Sequence, residues 1–331
     1  MKISKKMINL SFLKLNSFML FLLSLMFCFS SNSLFFIWIS MEINMLTYIS
    51  MMKPKNSKNY NNLMMYYIIQ SLASSLFIFF FILSYFNNFL SNYSYIFFII
   101  FLSMWMKMGF FPFSAWYFQM SENLNWFMWF MLNTLQKIMP LWILTFFLTK
   151  TKLLNLMILL NVLYSLFEIW NQVSIRWMIN ASSLNHFSWM ILSLNSKFNI
   201  WEMYFIFYLL SSAILYAMLW HMNWNSMLNT NNNTNYNNLV YFSLILFNFM
   251  GLPPFLGFLP KLMVMMTVTS WFLMILLILL TIFTSIIYIF YTAPLMNNFL
   301  TEKMLILKNT KLMKMNFYFI MVMLYLLCMM I

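Results

Sequence analysis

Long apolar runs are the feature that most constrains what this chain can fold into. A helix that crosses the hydrocarbon core of a membrane needs ~20 largely apolar residues, and eleven such runs follow one another here. They are too long and too continuous to be the ~10-residue alternating segments of a membrane β-barrel. Since only 7% of the residues are charged and 64% are hydrophobic, little polar surface is available to face water. The sequence therefore predicts an all-α integral membrane protein.

The predicted spans form a single membrane domain, residues 1–331, built from two units of five spans. Repeat one covers about 9–148 and repeat two about 153–293, and a surface segment with a last helix occupies about 294–331. Because each unit has an odd number of spans, the second unit enters the membrane from the opposite side, which makes the repeats inverted. The spans are predicted near 9–30, 33–52, 62–86, 93–118, 124–148, 153–171, 177–195, 200–221, 239–268, 271–293 and 316–331.

The distribution of basic residues predicts the orientation of these spans. The chain has 18 basic residues against five glutamates, and most of the lysines flank apolar spans. That placement is typical of a membrane protein, whereas a nucleic-acid-binding protein clusters its basic residues on a soluble face. Eleven basic residues fall on the side of the N-terminus and three on the other side. By the positive-inside rule the N-terminus lies on the inner side, and an odd number of spans puts the C-terminus on the opposite side.

Four of the ionisable residues in the predicted spans stand out, because a charge costs ~2.5–3.5 kcal/mol at the centre of a membrane helix. Glu42 lies in the middle of span 2, Lys107 in span 4, Lys137 in the middle of span 5 and Lys261 in span 9. The alternative for each is a side chain that reaches along its helix to a membrane surface. Because Glu42 and Lys137 are the most central, buried functional charges are the favoured interpretation.

Helix breakers accompany three of these charges. The chain has only three glycines and seven prolines, yet two glycines and three prolines fall within "GLPPFLGFLPK", residues 251–261. Spans 4 and 9 occupy the same place in their repeats, and two interrupted helices in corresponding places are typical of a transporter with a site at the membrane midplane. The alternative for a single proline is a packing kink. The predicted helix-break residues are Gly109, Pro112, Pro140, Gly251, Pro253, Pro254, Gly257 and Pro260.

Each proline in a helix leaves the carbonyl four residues earlier without its amide partner. Backbone carbonyls without partners are not tolerated against lipid, so they require a polar interior, water or a cation nearby. The sequence therefore predicts interrupted helices whose exposed carbonyls lie close to the buried lysines. The carbonyls predicted to be freed are those of Met108, Gln136, Phe249, Met250 and Leu256.

The histidine in span 7 and the two cysteines are compatible with proton transfer and do not indicate electron-transfer chemistry. His186 lies in span 7 among serines and asparagines, where it is either a proton relay or a polar group bonded between helices. The two cysteines, Cys28 and Cys328, each lie in an apolar run and are predicted to be buried thiols. Neither a cysteine cluster for an iron–sulfur centre nor a glycine-rich loop for NADH or flavin is present in the sequence. No cofactor is therefore expected on this chain.

Five motifs give the chain a family resemblance along its whole length: "MEIN" (41–44), "KMGFFPFSAW" (107–116), "LQKIMP" (135–140), "SSLNHFSWM" (182–190) and "MGLPPFLGFLPK" (250–261). Together they resemble the subunit 2 family of mitochondrial NADH dehydrogenase, an antiporter-like membrane subunit of respiratory complex I related to Mrp-type cation/proton antiporters. Residues with A/T-rich codons dominate, with 37 methionines. That composition favours an insect-type mitochondrial genome.

The resemblance implies roles for the buried charges. Glu42 and Lys107 would form the ion pair of the first half-channel, Lys137 would be the central lysine, and Lys261 would serve the second half-channel. The implied location is the inner mitochondrial membrane, where the predicted orientation puts the N-terminus in the matrix and the C-terminus in the intermembrane space. The implied partners are lipids and other complex I subunits, especially neighbouring antiporter-like subunits. FMN and iron–sulfur clusters would lie on other subunits. Two departures from the family pattern are Ser114 and Ser188, where members often have histidine and glycine.

Two other functions are compatible with the same residues. The chain could be a free-standing cation/proton antiporter, which would be active when purified alone. It could also be a passive scaffold of the membrane arm, in which case replacing Lys137 would leave pumping intact. The interpretation favoured here is a proton-translocating subunit of NADH:ubiquinone reductase.

Overall fold

In the computed structural model the described residues are 2–52, 57–86, 93–147, 152–170, 174–194, 200–222, 236–251 and 255–267, with a few single positions between 275 and 286. The regular elements in these ranges are helices, which confirms the all-α prediction. The chain divides into two compact units, Met1–Lys150 and Thr151–Ile331. The predicted repeat boundaries and the count of eleven spans stay predictions.

The first unit is a bundle in which α3 packs against α2, α4 and α5, and α4 also packs against α7. Its second helix begins with a regular cap, since the Ser33 hydroxyl accepts a hydrogen bond from the Phe36 backbone N–H at 3.4 Å. The helices are α1 (Lys2–Ser30), α2 (Leu34–Met51), α3 (Ser57–Phe86), α4 (Tyr93–Met108), α5 (Ala115–Glu122), α6 (Trp126–Asn133) and α7 (Leu135–Phe147).

The second unit is organised around one central helix, α9, in which every residue from Met178 to Ser193 is buried. This helix packs against α8, α10 and α12, so its polar residues face other helices rather than lipid. The elements are α8 (Lys152–Trp170), α9 (Ile175–Leu194), α10 (Ile200–Met222), α11 (Tyr236–Met250), a short 3-10 turn (Leu256–Phe258) and α12 (Leu259–Thr267).

The first nine predicted spans each coincide with a helix or a pair of helices. Four helical stretches of the described residues are long and apolar enough to cross a membrane: Leu34–Met51, Tyr60–Leu83, Trp126–Phe147 (α6 with α7) and Ile200–Trp220. Spans 10 and 11 and the predicted surface segment lie outside the described residues, apart from the single positions between 275 and 286. Cys28 is fully buried and carries a free thiol, as expected.

Spans 4 and 9 are interrupted where the sequence places their breakers. Span 4 is divided between Met108 and Ala115, and span 9 between Met250 and Leu256. In both, a glycine directly follows the first helix with a φ of 71°, a conformation that other residues avoid. Backbone geometry therefore explains why scarce glycines stand at positions 109 and 251.

Two predicted breakers act differently from the expectation. Pro140 lies inside α7, and the interruption of span 5 is at Thr134, between α6 and α7. Because α7 begins shortly before Pro140, the proline removes one intrahelical hydrogen bond without ending the helix. Pro260 lies in the first turn of α12, where a missing N–H is no loss, so it helps to begin a helix. The carbonyl of Leu256, predicted to be free, accepts the Leu259 N–H.

Candidate functional site

Two of the predicted lysines line the same cavity in the first unit. Lys107 approaches it from the end of α4 and Lys137 from α7, and Gln136 and Pro140 lie on its wall. The cavity has room for on the order of one water molecule. The other lining residues are Met41, Asn44, Met45, Tyr66, Gln70, Trp116, Tyr117, Leu132 and Met139.

Lys107 lies in the last turn of α4, directly before the interruption of span 4. Its Nζ contacts Met41 Sδ at 3.5 Å, and Glu42 interacts with it electrostatically. Its backbone carbonyl accepts a hydrogen bond from Gln70 Nε2 at 3.1 Å. The structure thus brings Glu42 and Lys107 within electrostatic reach, and the Lys107 ammonium group contacts the sulfur of Met41.

Lys137 is almost entirely buried, with 3% of its surface exposed. Its Nζ lies 4.1 Å from the ring centroid of Tyr117 and 5.9 Å from that of Phe110. Both distances are within the range of a cation–π interaction. Burial on this scale rules out the alternative in which the Lys137 side chain reaches a membrane surface.

The interruption of span 4 is held by hydrogen bonds and close packing. The Phe110 N–H donates to the Trp105 carbonyl at 3.3 Å, and Trp105 Nε1 donates to the Phe111 carbonyl at 2.7 Å. A Cβ on Gly109 would lie 2.8 Å from Tyr117 Cβ. Glycine at this position therefore allows the start of α5 to pack closely against the end of α4.

The remaining predicted charges meet at the end of α11 in the second unit. Lys261 Nζ donates to the Met250 carbonyl at 2.5 Å, and His186 Nε2 lies 2.5 Å from the Phe249 carbonyl. Both carbonyls were predicted to be free, because the amides that would pair with them belong to prolines. Lys261 and His186 are 2% and 5% exposed. Two buried titratable side chains therefore cap adjacent backbone carbonyls at the helix end.

The hydrogen bonds of His186 determine which ring nitrogen carries the proton. Because a carbonyl can only accept, the ring donates from Nε2 to Phe249. In the neutral ring Nδ1 is then an acceptor, and it receives the hydroxyl of Tyr204 at 3.0 Å. His186 thus links α9 to both α10 and α11.

Asn248 and Gly257 close the interruption of span 9. Asn248 Oδ1 accepts the backbone N–H of Gly257 at 3.0 Å. A Cβ on Gly257 would overlap the backbone oxygen of Asn248. This close approach requires glycine and brings the 3-10 turn back onto the end of α11.

The family described as "NADH:quinone oxidoreductase/Mrp antiporter, TM" matches residues 31–288. The chain belongs to this family. Among its relatives, NADH-ubiquinone oxidoreductase chain 2 of Anopheles gambiae is 32% identical over 301 residues, covering 87% of this chain and 85% of the relative. The sequence-based family assignment is confirmed.

Two solved structures show the same fold. The chain matches one in Thermus thermophilus respiratory complex I with a TM-score of 0.72 and 17% identity, covering 83% of this chain and 68% of that one. A chain of the Mrp complex from a Dietzia species matches with a TM-score of 0.73 and 12% identity, covering 82% of this chain and 58% of that one. At these identities the likeness concerns the fold.

The two departures from the family pattern have structural partners. Ser114 is buried, and its carbonyl accepts the N–H groups of Tyr117 and Phe118 at the start of α5. Ser188 Oγ accepts a hydrogen bond from Asn161 Nδ2 at 2.8 Å, which joins α8 to α9. Ser114 thus bonds locally through its backbone carbonyl, whereas Ser188 bonds between helices through its hydroxyl.

Several polar partners of the site were not found from the sequence. They are single neutral residues in apolar spans. A neutral polar side chain costs less to insert into a membrane than a charged one, so it gives a weaker signal in the sequence. The one available signal was position, since Asn248 lies in the last turn before the predicted interruption at Gly251. The partners are Tyr117, Asn133, Asn161, Tyr204 and Asn248.

Proposed function

We propose that this chain is a core membrane-arm subunit of respiratory complex I that takes part in proton translocation coupled to NADH oxidation and ubiquinone reduction. The observation that carries the proposal is the cavity that both Lys107 and Lys137 line beside an interrupted helix. The family assignment and the relative named NADH-ubiquinone oxidoreductase chain 2 support it.

The cavity provides polar groups for a proton path between the two lysines. Gln136 Nε2 and Trp116 Nε1 are buried and have no hydrogen-bond partner among the described residues, and both residues line the cavity. Buried donors of this kind are normally satisfied by water. Water held here would accept a proton from one lysine and pass it to the other, while Glu42 stabilises the charge on Lys107.

The number of spans, their orientation and their repeats are proposed from the sequence. The chain would cross the inner mitochondrial membrane eleven times, as two inverted five-helix repeats and a last helix, with its N-terminus in the matrix. Interruptions in spans 4 and 9 support the repeat pattern. Other subunits would supply FMN, the iron–sulfur clusters and the redox chemistry, and neighbouring antiporter-like subunits and lipid would be its partners.

The central lysine provides the test. Complex I containing Lys137→Met should pump protons about tenfold more slowly or worse, because methionine cannot carry a proton and general acid–base groups commonly contribute 10²-fold or more. The measurement is NADH-driven acidification of proteoliposomes, with assembly checked on native gels. Lys150→Met is the matched control, since the sequence places Lys150 between spans. Normal pumping by assembled Lys137→Met would reject the proposal and favour a passive scaffold.

A free-standing antiporter is the second candidate, and the likeness to the Mrp complex favours it. The purified chain, reconstituted alone in liposomes with a sodium or potassium gradient, would then exchange cations for protons. A complex I subunit is expected to show no exchange without its partners. Cation-driven proton movement that Lys137→Met abolishes would therefore favour this second function.

A further inference from the structure

We propose that Tyr117 is a positioning residue for Lys137: its ring face holds the ammonium group at the cavity, and Asn133 holds the ring. The proposal deepens the proposed function, because it concerns the lysine on which that function depends. It rests on the geometry of three residues from α5, α6 and α7, all in the first unit.

The first step is the need for a partner. An ammonium group removed from water is costly unless nearby groups compensate for the lost hydration. Lys137 Nζ lies 4.1 Å from the ring centroid of Tyr117, well within the ~6 Å reach of a cation–π interaction. The ring of Phe110 is at the edge of that reach, at 5.9 Å. Tyr117 is therefore the nearer of the two aromatic faces.

The second step is the orientation of the ring. The Tyr117 hydroxyl donates to Asn133 Oδ1, and both residues are fully buried. Asn133 is the last residue of α6, directly before the interruption at Thr134. A hydroxyl committed to Asn133 presents the face of the ring, rather than its oxygen, to Lys137.

The third step concerns proton transfer. An aromatic face attracts a cation but has no lone pair that takes its proton. The face can thus stabilise charged Lys137 without accepting one of its N–H bonds. A carboxylate at the same place would compete for the proton. The ring therefore suits a lysine that must both hold a proton and release it.

The fourth step is the packing that permits this arrangement. A Cβ on Gly109 would lie 2.8 Å from Tyr117 Cβ and 3.0 Å from Trp116 Cζ2. Glycine at position 109 thus gives Tyr117 its place beside α4. The interruption of span 4 therefore also places an aromatic face against the lysine of span 5.

The test compares variants of Tyr117 in assembled complex I. Tyr117→Leu removes the ring and should lower NADH-driven pumping by on the order of tenfold. Tyr117→Phe keeps the face and loses only the hydrogen bond, so it should stay within about threefold of the unmodified complex. Tyr117→Met is the second ring-free variant if the leucine variant fails to assemble, because methionine fills irregular gaps.

Cryo-EM of the same complexes separates this proposal from the proposed function. In Tyr117→Phe, Lys137 Nζ should stay over the ring, and in the ring-free variant it should move away. If Lys137 Nζ does not move in the ring-free variant, the positioning role is overturned. Lys137→Met tests the proposed function separately, because it shows whether pumping needs the lysine. Equal loss of pumping in Tyr117→Phe and Tyr117→Leu would also overturn it, since the face would then not matter.

Discussion

At the scale of single residues, the most informative contacts are those of buried side chains with backbone carbonyls. Lys261 and His186 reach the carbonyls of Met250 and Phe249, which α11 cannot satisfy at its own end. Unpaired carbonyls at membrane depth need such donors. The two side chains therefore stabilise the interruption as well as carrying titratable groups.

We expect His186→Leu to destabilise the assembled complex by about 1–3 kcal/mol, because it leaves the Phe249 carbonyl buried and unpaired. Tyr204→Phe should cost less, about 0.5–1.5 kcal/mol, since it removes one neutral hydrogen bond to the ring. Thermal inactivation of NADH:ubiquinone activity measures both. A larger loss for Tyr204→Phe than for His186→Leu would contradict the capping role.

The sequence predicted the acceptors of these bonds better than the donors. Because proline has no N–H, the carbonyl four residues before it can be identified as unpaired from the sequence alone, as at Phe249 and Met250. The donor comes from another helix, so its identity depends on packing that no local pattern encodes. The donor Tyr204 and the acceptor Asn133 also belong to other helices than their partners, and they were missed for the same reason. The charged residues were found through their insertion cost.

At the scale of elements, the interruptions are built by glycine in two ways. Gly109 and Gly251 have a φ of 71°, and Gly257 permits a close backbone approach. Breaks in spans 4 and 9 were predictable, because glycine and proline act on their own backbone. The break at Thr134 was not, since its sequence neighbours contain no breaker and tertiary packing decides the local conformation.

Gly109→Ala tests this geometry. We expect it to destabilise the complex by at least about 1–2 kcal/mol, the cost of a left-handed conformation for a residue with a Cβ. The added carbon would also press against Tyr117 Cβ. The measurement is the midpoint of thermal disassembly on native gels. Ser75→Ala on the exposed side of α3 is the control and should change little, whereas an unaltered midpoint for Gly109→Ala would contradict the argument.

At the scale of the whole molecule, each compact unit contains an interrupted helix with a lysine beside a break that glycine forms. In the first unit Lys107 precedes the break, and in the second unit Lys261 follows it. The placement of long apolar helices was predictable, because hydrophobic length is a property of consecutive residues. The cavity was not, since its walls come from α2, α3, α4, α5, α6 and α7.

The inverted-repeat arrangement makes one prediction about topology. If the chain crosses the membrane eleven times, tags at the N-terminus and the C-terminus must lie on opposite sides of the inner membrane. A tag within residues 223–238, which follow the eighth predicted span, should share the side of the N-terminus. Protease protection in mitoplasts, with and without detergent, shows on which side of the inner membrane each of the three tags lies. Because the excess of basic residues favours the matrix for the N-terminus, the C-terminal tag alone should be cleaved in intact mitoplasts. Cleavage of the C-terminal and internal tags together would require an even number of spans after residue 238 and would contradict both the count and the inversion.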